Sequence, residues 1–171
     1  MPRKKLLRSD IFPYHVTART NNQERFPLPL EVVWSIVTNE LLLISVLYKI
    51  EIQALVLMPN HLHLILTVPE QDLGKIMNLF MSDVTREMNR RTGRTGHAFG
   101  GPYFWSIITS TRYYGHALKY VYRNPVRGKL CDQVEEYEFS TVQGLLGLKH
   151  LSFPLHYTRA GLELKDRKAH V

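Results

Sequence analysis

Alternation and helical stripes partition this chain. The run VLMPNHLHLIL, Val56 to Leu66, reads as the end of one strand, a Pro59-Asn60 turn and the start of the next. Strand side chains alternate faces, so Leu62, Leu64 and Leu66 share one side while His61 and His63 share the other. Phe12 to Thr20 alternates in the same β-rich way and predicts a first strand. Ile50 to Met58 gives the second, His61 to Val68 the third and Phe104 to Ser110 the fourth. Between them, Val33, Trp34, Val37, Leu41, Ile44 and Leu47 recur at helical spacing over Leu30 to Tyr48. Leu73, Ile76, Met77, Phe80, Val84 and Met88 do so over Asp72 to Thr92, with Gly93 as the stop. A third helix starts at a Ser110 or Thr111 cap and must end near Asn124, because Pro125 disfavours helix at the residue before it.

The order strand, helix, strand, strand, helix, strand is the split-βαβ pattern. It predicts an α+β, ferredoxin-like (RRM-like) four-stranded antiparallel sheet with two helices on one face. The other face is expected to stay open, with His61 and His63 on it and the third helix nearby. A chain of 171 residues holds one sizeable core, so residues 1–150 are read as a single domain and 151–171 as an extension or tail.

Charge adds a partner class. Twenty-two Lys and Arg against 15 Asp and Glu leave a net +7, which favours a polyanion, nucleic acid first. Arg86, Arg90, Arg91 and Arg94 cluster at the end of the second helix, either to meet phosphates or as a solvated terminus that complements the helix dipole. Arg3, Lys4, Lys5 and Arg8 read as a solvated arm. Apolar runs such as Leu41 to Tyr48 are too short to span a bilayer, and no membrane partner is expected. Cys131 is the only cysteine, which excludes an intramolecular disulfide and a cysteine-based zinc site. The basic start carries no secretory pattern, so a cytoplasmic protein is expected. The glycine-rich stretch from Gly93 to Phe104 lacks the Gly-Lys-Ser/Thr ending of a phosphate-binding loop.

Two positions carry candidate chemistry. His61 and His63 on one strand face read either as a two-histidine divalent-metal site or as partly exposed strand histidines. On the third helix His116, Tyr120 and Asn124 are spaced four apart and share a face. That sets a phenol, a weak nucleophile unless activated, beside groups able to bind a metal or orient a phosphate. His116 itself reads as a solvated residue, and Tyr113, Tyr114 and Tyr122 as structural.

MPNHLHLIL taken together with KYVYRNPVRGKL resembles the single-tyrosine transposases of the HUH superfamily, in the branch associated with repetitive extragenic palindromes. HVTARTNNQE, RRTGRTGH and YEFSTVQGLLG extend the resemblance over about Pro13 to Gly147. The chain departs from the family pattern at Ala98-Phe99, at the aromatic run Pro102 to Trp105 and at Gly128. The resemblance implies that His61, His63 and Asn124 bind Mg²⁺ or Mn²⁺ and that Tyr120 is the catalytic nucleophile. It implies nicking and strand transfer on single-stranded or hairpin DNA through a 5′-phosphotyrosine, by a monomer. Arg123 and Arg127 then flank the site, the four arginines at the end of the second helix track the backbone, and Trp105, with Tyr103 and Phe104, stacks unpaired bases. The alternatives are a non-catalytic, domesticated hairpin-binding protein and a metallohydrolase that uses water.

Overall fold

Asp72 and Gly93 bracket one of the two helices that support the sheet. The Asp72 carboxylate accepts from Gly74 N–H at 2.6 Å, and Gly93 closes the helix in the left-handed region at φ 66°. The computed structural model describes residues 9–70 and 72–156, so the basic arm of Arg3, Lys4, Lys5 and Arg8 lies outside the described residues. Along the chain come β1 (Tyr14–Arg19), α1 (Leu30–Tyr48), β2 (Glu51–Met58), β3 (His61–Thr67), α2 (Leu73–Thr92) and β4 (Phe104–Ile107). The strands are ordered β2-β3-β1-β4 and every neighbouring pair is antiparallel, the ferredoxin-like arrangement that the element order predicts. The fourth strand stops at Ile107, short of the predicted Ser110, because Ile108 N–H turns to Pro13 O (2.8 Å) and Ser110 is taken as a helix cap.

Leu62, Leu64 and Leu66 are fully buried with Tyr14, Val16 and Ala18 of β1, against Val33, Val37 and Leu41 of α1 and Ile76, Phe80 and Val84 of α2. Leu64→Ala removes a side chain with no exposed surface and is expected to cost about 2–5 kcal/mol in urea unfolding. A cost well below about 1 kcal/mol would mean that this interior is not close-packed.

The second face of the sheet is only partly open: its β1 and β4 side leaves Arg19 and Phe104 exposed, as the sequence predicts, but its β2 and β3 side is covered. The helices α3 (Thr111–Tyr122) and α4 (Asn124–Arg127), together with the segment around Tyr137 and Val142, cover it. Ala54, Val56 and Ile65 from the sheet pack there with Tyr114, Ala117, Val121 and Tyr137. The physical reason lies in β2, which is buried on both faces from Ile52 to Met58. A bulge between Ile52 and Ala54 shifts its alternation, so Ile52, Leu55 and Leu57 face α1 and α2 while Ala54, Val56 and Met58 face α3. An apolar second face demands a cover.

The outer edge of β2 is covered too. Leu57 N–H donates to Phe139 O, Thr141 N–H donates to Leu55 O (each 2.9 Å), and the Tyr137 hydroxyl donates to Leu57 O at 2.7 Å. Phe153 is buried in the main core and His156 N–H donates to Ile52 O at 2.7 Å. The part of the 151–171 extension that is described, up to His156, thus packs on the domain, and residues 157–171 lie outside the described residues.

α1 also corrects the reading from Leu41 to Tyr48 alone. The whole helix is long and apolar enough to cross a membrane by length and composition. In this fold its Val33, Ile36, Val37, Leu41 and Ile44 are buried in the protein core.

Candidate active site

The strand register assembles one polar cluster on the α3 side of the sheet. Thr17 pairs with His63 and Arg19 with His61 across β1 and β3, so His15, Thr17 and Arg19 share a face with the two histidines. α3 is fixed over this face by its own sequence. The Ser110 hydroxyl accepts from Tyr113 N–H (3.2 Å), Tyr113 and Ser106 hydroxyls meet at 3.0 Å, and Tyr114, Ala117 and Val121 form the buried stripe. The next turn along carries Tyr120, whose ring centroid lies 5.6 Å from that of His63 and 5.8 Å from that of His15, edge-on in both cases. Pro125 then breaks the helix, as the sequence requires, and begins α4 with Asn124 at the junction. Thr17, Arg19, His61, His63 and Tyr120 line a cleft of about 420 Å³ that also takes in Phe104, Asn124 and Arg127.

Hydrogen bonds fix which nitrogens are free. Asn60 Nδ2 donates to Gln23 O at 2.9 Å, which turns its Oδ1 toward His61 Nδ1 at 2.7 Å. An amide oxygen only accepts, so His61 carries its proton on Nδ1 and presents the Nε2 lone pair. His63 is 4% exposed, and its Nε2 is buried without a hydrogen-bond partner. Asn124 Nδ2 donates to Tyr120 O at 2.8 Å, which identifies Oδ1 as the acceptor atom of the amide. Burial, reinforced by His61, His15 and Arg19, holds the His63 pKa down at about 3. Burial and Arg19 hold His61 at about 4. Both imidazoles are neutral at physiological pH, the form that ligates metals. The donor set of two imidazole nitrogens and one amide oxygen fits a divalent cation, and the orphaned His63 Nε2 is the observation that supports it. Among the described residues no three His, Cys, Asp or Glu side chains gather into a metal-binding group, so the third protein ligand would be the Asn124 amide.

These shifts give a pH dependence. An unfolded imidazole takes a proton near pH 6.5, whereas the folded His61 and His63 refuse it until about 4 and about 3. Their contribution to stability is full above pH 6.5 and is lost as the pH falls toward 3, since there the unfolded chain binds more protons. Urea midpoints at pH 7, 5 and 4 should fall in that order, and His63→Gln should flatten the decline. An unchanged slope in that variant would remove His63 as the cause.

The structure sorts the remaining predicted residues. Arg127 lines the cleft with its guanidinium carbon 5.4 Å from the Tyr120 ring centroid. Arg123 is exposed beside the cleft without lining it, and His116 is exposed on α3. Arg86, Arg90, Arg91 and Arg94 belong to the opposite, helical layer or the loop after it. There Arg86 pairs with Asp83 (2.8 Å), while Arg90 and Arg91 share Glu87 (2.8 and 2.6 Å). Trp105 lies edge-on to Tyr14 at 6.2 Å and packs, half-buried, on the main core rather than in the cleft. Strand parity gives the cleft Phe104, 76% exposed and also among the aromatics read as stacking candidates. His15, Thr17 and Arg19 were not assigned roles from sequence, although the alternation of HVTAR places three polar residues on one face and was the available signal.

A ferredoxin-like sheet with paired histidines on a central strand, faced by a tyrosine on a covering helix, is the arrangement that the sequence resemblance to single-tyrosine transposases leads one to expect. The chain belongs to the family described as "Transposase IS200 like", whose model matches residues 12–124. It is 34% identical to the REP-associated tyrosine transposase of Escherichia coli (strain K12), over 53% of each chain, so the match spans about half the length of that relative. The fold is similar to the solved structure of a REP-associated tyrosine transposase bound to a REP hairpin. That similarity has a TM-score of 0.71 at 21% identity and covers 94% of this chain and 97% of the other.

Proposed function

We propose that this transposase domain nicks single-stranded DNA beside a hairpin and rejoins strands, with Tyr120 as the nucleophile and Mg²⁺ or Mn²⁺ as the cofactor. The observation that carries this reading is the Tyr120 ring set edge-on to neutral His63, with neutral His61 in the same cleft. His61, His63 and Asn124 would hold the cation, which when bound supplies Lewis-acid polarisation of a phosphoryl oxygen. The Tyr120 oxygen attacks the scissile phosphorus and loses its proton. The P–O3′ bond breaks, and the departing 3′ oxygen takes up a proton to become a free hydroxyl. The DNA 5′ end is left on Tyr120 as a phosphotyrosine. Phosphodiester energy is retained, so a second 3′-hydroxyl can reverse the step and join new ends. Arg19 and Arg127, both exposed at the cleft, face the phosphates. A hairpin substrate is supported by the related transposase solved with a REP hairpin. Tyr120 already faces His63 of its own chain, which supports a monomer acting in cis.

Incubating the protein with labelled hairpin oligonucleotides carrying single-stranded flanks, with and without Mn²⁺, tests this on a denaturing gel. The expected product is a metal-dependent covalent protein–DNA band. Binding without any adduct would favour the non-catalytic hairpin binder instead.

Phe104 supplies a further expectation. An exposed aromatic at the mouth of the cleft stacks an unpaired base, so Phe104→Ala should weaken binding of flanked hairpins about tenfold or more. Its unfolding midpoint should stay close to wild type, and Trp105→Ala should do the reverse. Fluorescence anisotropy and urea unfolding on both variants distinguish the two.

A further inference from the structure

One histidine on the cleft face is not a candidate ligand. His15 is half-buried and stacks on His63, with centroids 5.3 Å apart and planes 29° from parallel. Its Nε2 lies 3.2 Å from His63 Nδ1, and Thr17 Oγ1 lies 3.0 Å from that same nitrogen. Both residues come from one face of β1, and the register sets Thr17 directly opposite His63. Two groups therefore converge on the one His63 nitrogen that points away from the orphaned Nε2.

Tautomer chemistry gives this convergence a consequence. Neutral imidazole carries one N–H, so an Nε2 lone pair requires the proton on Nδ1. That N–H needs an acceptor, and the Thr17 hydroxyl oxygen and an unprotonated His15 Nε2 both serve. In the opposite arrangement His15 Nε2–H donates to His63 Nδ1, the His63 proton sits on Nε2, and the ligand atom is lost. We infer that His15 and Thr17 are positioning residues that hold His63 in the tautomer that presents Nε2 to a cation, while the His15 ring keeps Tyr120 edge-on to His63. The metal part of this inference rests on the proposed function; the tautomer part rests on the buried, unpartnered Nε2, where an N–H would be stranded while Nδ1 has two acceptors at hand.

The variants separate ring from hydrogen bond. His15→Phe keeps a stacked ring without nitrogen, His15→Gln restores an acceptor without the ring, and Thr17→Val removes the hydroxyl at nearly constant volume. Long-range ¹H–¹⁵N spectra of the histidine ring nitrogens, recorded without metal, are expected to show His63 in the Nδ1–H form in wild type. They should show a mixture in His15→Phe combined with Thr17→Val. Titration calorimetry with Mn²⁺ alone should find affinity about 10–100-fold weaker in that double variant and near wild type in His15→Gln. Metal-free hairpin binding and the unfolding midpoint should be little changed. An Nε2–H tautomer in wild type, or a double variant unchanged in both spectrum and affinity, overturns the inference. A wild type with the Nδ1–H tautomer that binds no Mn²⁺ supports the tautomer lock and overturns its metal role, together with the proposed cofactor.

Discussion

Tyr120→Phe is expected to abolish covalent attachment of DNA and to lower strand cleavage by on the order of 10⁴-fold or more, as loss of a nucleophile does in enzymes that form covalent intermediates. The substitution is surgical in this fold. Tyr120 is held by ring contacts, edge-on to His15 and His63 and under the Arg127 guanidinium, and phenylalanine retains them. Hairpin affinity and urea stability should therefore stay near wild type. The same preparation can be assayed for binding by anisotropy and for cleavage by gel. Cleavage that persists would make water the nucleophile and turn the protein into a metallohydrolase. The other tyrosines of α3 are poor substitutes, because Tyr114 and Tyr122 are buried and Tyr113 is engaged with Ser106.

The second large effect is expected at the histidines. His61→Ala and His63→Ala should each reduce Mn²⁺-dependent cleavage by at least about 10²-fold, beyond what loss of an outer-sphere partner costs. Metal-free hairpin binding should survive. The two should differ in stability. His61 is half-buried at the start of β3, whereas His63 is nearly enclosed beneath Tyr120. Removing His63 leaves a void in the cleft floor, so His63→Ala should be the less stable variant at pH 7. Its deficit should shrink toward pH 4, where the wild-type imidazole is penalised for staying neutral. Parallel calorimetry and unfolding measurements on both variants check this. Equal cleavage by wild type and both variants would remove the metal site from the account.

The fold was legible because its elements announce themselves by period. HLHLIL can place its leucines on one face only as a strand, and α2 carries both its stripe and its caps in the sequence. The covered second face was harder to see. Nothing local to α3 says that Tyr114, Ala117 and Val121 will meet Ala54, Val56 and Ile65, because that contact depends on a bulge in β2. The near-continuous apolar run of Ile52 to Met58 was the available clue. In the site, His61, His63, Tyr120 and Asn124 were found through motif spacing, and the structure brings all four to one cleft. His15 and Thr17 required knowledge of which strand pairs with β3 and in what register. Of the adjacent aromatics Phe104 and Trp105, both read from sequence as candidates, strand parity sets Phe104 in the cleft and Trp105 on the core, because neighbouring strand residues face opposite ways.

The most direct test of the central claim is mass spectrometry of the protein–DNA adduct after nuclease trimming and trypsin digestion. Cleavage after Lys119 and Arg123 isolates the peptide Tyr120 to Arg123, which contains Tyr120 and Tyr122. A nucleotide remnant on this peptide, assigned by fragmentation to Tyr120, is the predicted result. A remnant on any other residue, or cleaved DNA with no modified peptide in the digest, would contradict it.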